Sequence, residues 1–277
     1  MSKMIKNTFV SQIRQNDENI DLAYSTLLMA QYLTQPFDMS PYLTMLDDMA
    51  GAARPSVCAA GTDLEKIGAL NKHLFEDLGF SGNNRRYYKP DNSFLNRVLD
   101  SKKGIPISLS VVYMEVGRRL DLPLWGVGIP QHFIVGYGVP EEPIYIDVFD
   151  QGQILTEIDC MVISGHSFSD QESFKKDYLK PATKRAVLFR MLQNLKYLYL
   201  DQKNWEATYK TIDLAVEVYP NQLNELRDRG LMAYRLNRFQ DAIFDINRYL
   251  HLAPNLEDKA WLERRVELME EQLLRLN

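Results

Sequence analysis

Residues 101–123 read SKKGIPISLSVVYMEVGRRLDLP, and this stretch decides how the chain folds. Gly104 breaks the preceding pattern. Pro106 suits a helix start, because its ring presets φ and the N–H it lacks has no partner in the first turn. Ile107, Leu109, Val111, Val112, Met114, Val116 and Leu120 then leave almost no polar stripe. The helix over 107–120 is therefore expected to be buried on most sides. Three short strand-like runs follow: LWGVG at 124–128, HFIVGY at 132–137 and IYIDVF at 144–149. Ile129-Pro130-Gln131 and the GVPEEP run at 138–143 separate them. The second turn is short enough for a hairpin, which predicts antiparallel strands. A buried helix followed by an antiparallel meander reads as an α+β fold.

Upstream, ENIDLAYSTLLMAQYLTQ (18–35) places Leu22, Ala23, Leu27, Leu28, Ala30 and Tyr32 on a helical face, and Pro36 ends it. MSPYLTMLDDMAGAAR (39–54) gives a second helix, with Ser40 as its cap, Pro41 first in the helix, and Tyr42, Met45, Leu46 and Met49 facing inward. A third is expected over 62–78, with Thr62 and Glu65 at capping-box spacing and Gly79 as its stop. FSGNNRRYYKPDNSF (80–94) is a loop by composition, and its tyrosines mark it as packed. Residues 92–100 make a short helix.

The strand signal stops near residue 172, and the helical remainder repeats. Trp205 pairs with Phe239, and Pro220 with Pro254, each at the tetratricopeptide period of about 34 residues. Gly230, Tyr234, Ala242 and Pro254 fit the second unit. The first is weaker, since Lys196 stands where a small residue is expected. A last helix near 257–276, with Trp261, Leu262, Val266, Leu268, Met269 and Leu273, would cap the array. Two domains follow from this pass, 1–170 and 171–277.

Composition narrows the functions. The 277 residues carry 32 Lys and Arg against 37 Asp and Glu, a net charge of −5, which argues against a broad nucleic-acid surface. Cys58 and Cys160 are too few and too far apart for a disulfide framework or a zinc site. The N-terminal segment lacks an apolar signal run, and no stretch approaches the roughly 20 apolar residues of a membrane span. A cytoplasmic protein that binds neither membrane nor nucleic acid is expected. His73, His166 (in a loop with Ser164, Gly165 and Ser167) and His251 lie at no metal-ligand spacing, and no glycine-rich phosphate loop occurs, so neither metal nor cofactor is expected.

Two residues stand out in the meander. His132 begins the second strand run and Asp147 lies in the third. On adjacent antiparallel strands they could face one another, and a carboxylate beside an imidazole is the base half of a nucleophilic triad. A structural histidine and aspartate near turns give the same pattern.

Lys103-Gly104-Ile105-Pro106-Ile107-Ser108-Leu109-Ser110, then Gly126-Val127-Gly128-Ile129-Pro130-Gln131-His132-Phe133, then Ile146-Asp147-Val148-Phe149 together resemble the transglutaminase-like superfamily, and within it the SirB-type branch. Asn83, Tyr87-Tyr88, Asp91-Asn92-Ser93 and the Leu46-to-Ala50 run fit that branch as well. The resemblance implies a papain-like α+β domain whose active members use a Cys-His-Asp triad. It puts the histidine on His132, the aspartate on Asp147 and the cysteine on or near Pro106, with Asn83, Tyr87, Asn92, Pro106 and Gln131 around the site. No cysteine occurs from 59 to 159, so the nucleophile is missing. The first functional reading is a degenerate, non-catalytic binding or regulatory protein that meets a protein or peptide partner through residues 190–277. The alternative is an acyl-transfer hydrolase or peptidase, with Ser108 as nucleophile, His132 as base and Asp147 orienting it.

Overall fold

A computed structural model describes residues 1–166, 171–253 and 257–276. Ser167 and Pro254 of the sequence reading lie outside the described residues. By its contacts the chain divides into Met1–Met191 and Leu192–Asn277.

The first unit opens with α1 (Ser2–Ile13), α2 (Leu22–Leu33), α3 (Ser40–Ala59) and α4 (Asp63–Asn71), which runs on as a π-helical turn, Lys72–Asp77. Next come β1 (Ser81–Gly82), two 3-10 turns at Asn84–Arg86 and Pro90–Ser93, α5 (Leu95–Ser101) and β2 (Lys103–Gly104). The long α6 (Pro106–Arg119) leads into β3 (Leu124–Val127), β4 (Ile134–Tyr137), β5 (Ile144–Asp147) and β6 (Gln153–Leu155). After α7 (Glu157–Ile163) and α8 (Gln171–Tyr178), the division between units falls inside α9 (Lys184–Asp201).

The α6 helix is the pivot. Pro106 occupies its first turn, and every residue from Pro106 to Gly117 is buried. It packs on β3 and β4 and against α2, α3 and α5. Each large aliphatic side chain hidden this way is worth about 1.5–3 kcal/mol. Glu115 is the charged residue of the buried stretch, and it is satisfied: Arg118 reaches it at 3.0 Å and Arg119 at 2.7 Å, while Arg119 also holds Asp47 of α3 at 2.5 Å. The sheet is an antiparallel meander in the order β3-β4-β5-β6, with Leu124 opposite Tyr137, Val135 opposite Ile146 and Asp147 opposite Gln153. The α+β expectation holds.

Several boundaries moved for local reasons. Met39, not Ser40, flanks α3, and the helix runs through Pro55 to Ala59. Pro55 has no N–H to give back to Gly51, yet one more turn buries Val57. The Thr62–Glu65 capping box forms, and Gly79 sits at φ +74°, but the helix between them widens after Asn71, so that Leu78 N–H donates to His73 O five residues back. The helix expected over 92–100 starts at Leu95, because Pro90–Ser93 is a 3-10 turn. The strands are shorter than their apolar runs: His132 precedes β4 rather than opening it, and β5 ends at Asp147. Sequence reasoning missed α1 and the three-residue β6, whose Gln153 is polar.

The second unit pairs the C-terminal part of α9 with α10 (Trp205–Val218), then α11 (Leu223–Arg235) with α12 (Phe239–Leu252), and ends on α13 (Lys259–Leu276). Trp205 and Phe239 both start the second helix of a pair, as the repeat predicts. Its core joins Ile212, Val216, Leu226, Ala242, Ile246 and, from α13, Leu262, Val266 and Met269. Gly230 lets α11 approach α12, since a Cβ there would lie 2.8 Å from Ile246. The equivalent Lys196 is buried instead as an ion pair, 2.9 Å from Glu225 and 2.7 Å from Asp228 on α11. Those carboxylates explain how a lysine replaces a small residue. Among the described residues no helix is long and apolar enough to cross a membrane.

Candidate functional site

Asp147 closes β5, and the chain then turns back on it. Its Oδ1 accepts from the backbone N–H of Phe149 (3.0 Å) and Asp150 (3.3 Å), and its carbonyl accepts from Gly152 N–H (2.8 Å). Its Oδ2 lies 2.9 Å from His132 Nε2. A carboxylate only accepts, so Nε2 carries the proton and the ring is fixed in orientation. His132 Nδ1 has no partner among the described residues and is not sealed from water. The pair is therefore arranged as a triad's base half would be, with one nitrogen held and the other presented.

The turn is tied to the core behind it. Asn71 donates to Gly152 O at 2.9 Å, and the buried Tyr113 hydroxyl of α6 donates to Asn71 Oδ1 at 2.9 Å. Burial pushes Tyr113 well above the ordinary phenol range, which keeps it a donor. In front, the Phe149 ring meets His132 edge-on at 6.1 Å and Tyr87 at 6.1 Å, and it packs on Gly82. Asn71, Tyr113 and Phe149 went unread in the sequence. Phe149 followed a singled-out aspartate, but nothing local links Asn71 to a turn 81 residues away.

The other expected site residues divide. Tyr87 is half-buried beside Phe149, so it does join the pair. Gln131 is exposed at φ +60°, a left-handed turn residue directly before His132. Pro106 is buried in the first turn of α6. Asn83 and Asn92 spend their side chains on the loop: Asn83 Nδ2 donates to Asn92 Oδ1 (2.9 Å), and Asn92 Nδ2 donates to the carbonyls of Arg86 (2.7 Å) and Tyr87 (3.0 Å). Ser108 is 1% exposed, and its hydroxyl is fully used. It accepts from Ile105 N–H at 3.0 Å, closing the first turn of α6, and donates toward Asn92 O (2.5 Å) and Ile105 O (3.1 Å). No bond joins it to His132. Among the described residues no three His, Cys, Asp or Glu side chains cluster as a metal site would.

The two cysteines lie on α7 and α3. Cys160 lies on α7 in an apolar cluster with Val127, Ile134 and Met161. Burial, and then the carboxylates of Asp159, Asp147 and Glu157, push its thiol up to about 12, so it stays protonated at neutral pH. Cys58 is exposed on α3. Iodoacetamide at pH 8 should therefore modify Cys58 in the native protein, and Cys160 after denaturation. Native labelling of Cys160 at a comparable rate would sink this assignment.

Known proteins share the pattern. The family profile described as Transglutaminase-like superfamily matches residues 40–193, and one described as Tetratricopeptide repeat matches 195–273. The UPF0162 protein of Xylella fastidiosa (strain 9a5c) is 35% identical over 244 residues, 87% of this chain and 86% of that one. The UPF0162 protein YchA of Escherichia coli (strain K12) is 29% identical over 192 residues, 69% of this chain and 70% of its own. Human F-box only protein 21 is 29% identical over 190 residues, 64% of this chain and 29% of its own length. With the buried helix, the meander and the His–Asp pair in place, and a match over more than half its length, the chain belongs to the transglutaminase-like superfamily and carries a tetratricopeptide tail.

Proposed function

We propose that this is a non-catalytic binding protein of the cytoplasm, in which a transglutaminase-like domain keeps its His–Asp pair but not its nucleophile, and residues 190–277 meet a protein partner. The observation that carries the reading is at His132. Its Nε2 is bonded to Asp147, and among the described residues no hydroxyl or thiol is bonded to Nδ1. Pro106 heads α6, where the superfamily's cysteine falls by resemblance, and a proline offers no group to activate. The acyl-transfer alternative would require the Ser108 hydroxyl to leave Asn92 and Ile105, which opens the first turn of a core helix. The repeat tail supports a protein partner, since such hairpins present side chains on an extended surface.

The test uses a captured partner quantitatively. The full chain is immobilised, a retained protein is purified, and it is returned to soluble chain. The reading expects a stable complex whose affinity changes less than about threefold in His132→Ala, with the partner recovered at unchanged mass. A partner cleaved or modified by the wild type, but untouched by His132→Ala, would show an enzyme instead.

A further inference from the structure

The loop at 84–89 reads NRRYYK, and its charges are unanswered. Arg85, Arg86 and Lys89 are exposed, and none has a side-chain partner among the described residues. Lys103 of β2, bonded to Ser81, adds a fourth cation on the β1–β2 pair that leads into the loop. The nearby carboxylates, Asp91 and Asp150, are exposed and form no ion pair with these cations.

Net charge is −5, and several arginines elsewhere in the fold are answered by carboxylates: Arg119 by Glu115 and Asp47, Arg229 by Asp213 and Asp245, Arg238 by Glu206. Like charges gathered without partners repel one another, so the cluster lowers stability and creates a local positive field. Its position gives that field a use. Tyr87 stands 6.1 Å from Phe149, and Phe149 stands 6.1 Å from His132. Tyr88, 78% exposed, packs edge-on against Tyr87 at 5.3 Å.

We infer that loop 84–89, with Lys103, receives an acidic peptide segment of a protein partner beside His132, its carboxylates on the cations and an apolar side chain on the Tyr88 and Phe149 rings. Arginine forks suit carboxylates, and an exposed aromatic ring adds contact area at low entropy cost. A nucleic acid fits less well. Duplex binders neutralise about 6–10 phosphates along a track, whereas these cations sit around one short loop on an acidic chain. The inference rests on the binding reading above and names the segment that this face takes.

Fluorescence anisotropy on the full chain tests it. The probes are a fluorescein-labelled glutamate-rich peptide with a central phenylalanine, the same peptide with glutamine for glutamate, and a labelled oligouridylate of equal length. The glutamate peptide should bind saturably and the glutamine peptide should not. Affinity should fall about tenfold or more in Arg85→Glu/Arg86→Glu and on raising salt. Both loop arginines are exposed, so the double variant should keep the fold. No saturable peptide binding, wild-type affinity in the double variant, or tighter binding of the oligouridylate would each overturn the assignment. If the peptide fails while a captured partner still binds unmodified, the loop assignment falls and the binding reading stands. If the peptide binds while a partner is altered in a His132-dependent way, the loop assignment stands and the binding reading falls.

Discussion

Replacing Arg229 by alanine should cost the second unit about 3–5 kcal/mol. The side chain lies among three helices of that unit. From α11 its Nε and Nη2 reach the two oxygens of Asp245 on α12 at 2.6 and 2.7 Å, and its Nη1 reaches Asp213 on α10 at 2.9 Å. The arginine is 12% exposed at its side chain and Asp245 2%. Burial works against the guanidinium charge, but Asp245 and Asp213 more than offset it and hold the pKa above the usual arginine value. Truncation takes away the cation and leaves the Asp245 carboxylate buried without one. Urea denaturation of the full chain, followed by tail-specific signals, reads the loss. A cost below about 1 kcal/mol would mean the pair is no more than a surface bridge. Replacing Arg229 and both aspartates with apolar residues of similar volume should restore much of the stability, because a vacant partner costs more than an absent network.

Gly152→Ala should lose about 2–4 kcal/mol from the first unit, by two routes. Gly152 sits at φ +81°, where an L side chain is strained, and an added Cβ would overlap the Asn71 amide. That amide holds the Gly152 carbonyl and is itself held by Tyr113, so it has little freedom to withdraw. The turn must shift, and Asp147 hangs on it through the Gly152 N–H. The His132 imidazole resonances should move with it. In an Asn71→Ala background the overlap is gone, and the same substitution should cost only the strain, about 1–2 kcal/mol. Equal costs in both backgrounds would show that Asn71 does not clamp the turn.

The parts of this fold that were legible in sequence are those with short-range causes. The apolar encirclement of 107–120 and Pro106 announced a buried helix. Thr62 and Glu65 announced a cap, and Trp205 with Phe239 a repeat. Lys196 read as a flaw in that repeat, because its answering charges, Glu225 and Asp228, lie on the next pair and carry no local signal. The site was half legible. His132 and Asp147 were found, and they do bond. Ser108 read first as a hydroxyl packed at a helix start and only second as a nucleophile, and the bond that holds it there, to Asn92 O, comes from 16 residues away. The widening of α4 after Asn71 also escaped, since a π turn has no composition of its own.

The central claim is that the His132–Asp147 pair has no nucleophile to serve. Intact-protein and peptide mass spectrometry tests this most directly, after incubating the wild type and His132→Ala with a fluorophosphonate and with an activated acyl thioester. The account predicts no adduct on Ser108, Cys160 or any other residue whose formation depends on His132. An acyl or phosphonyl group on a first-unit residue of the wild type, lost in His132→Ala, would contradict it.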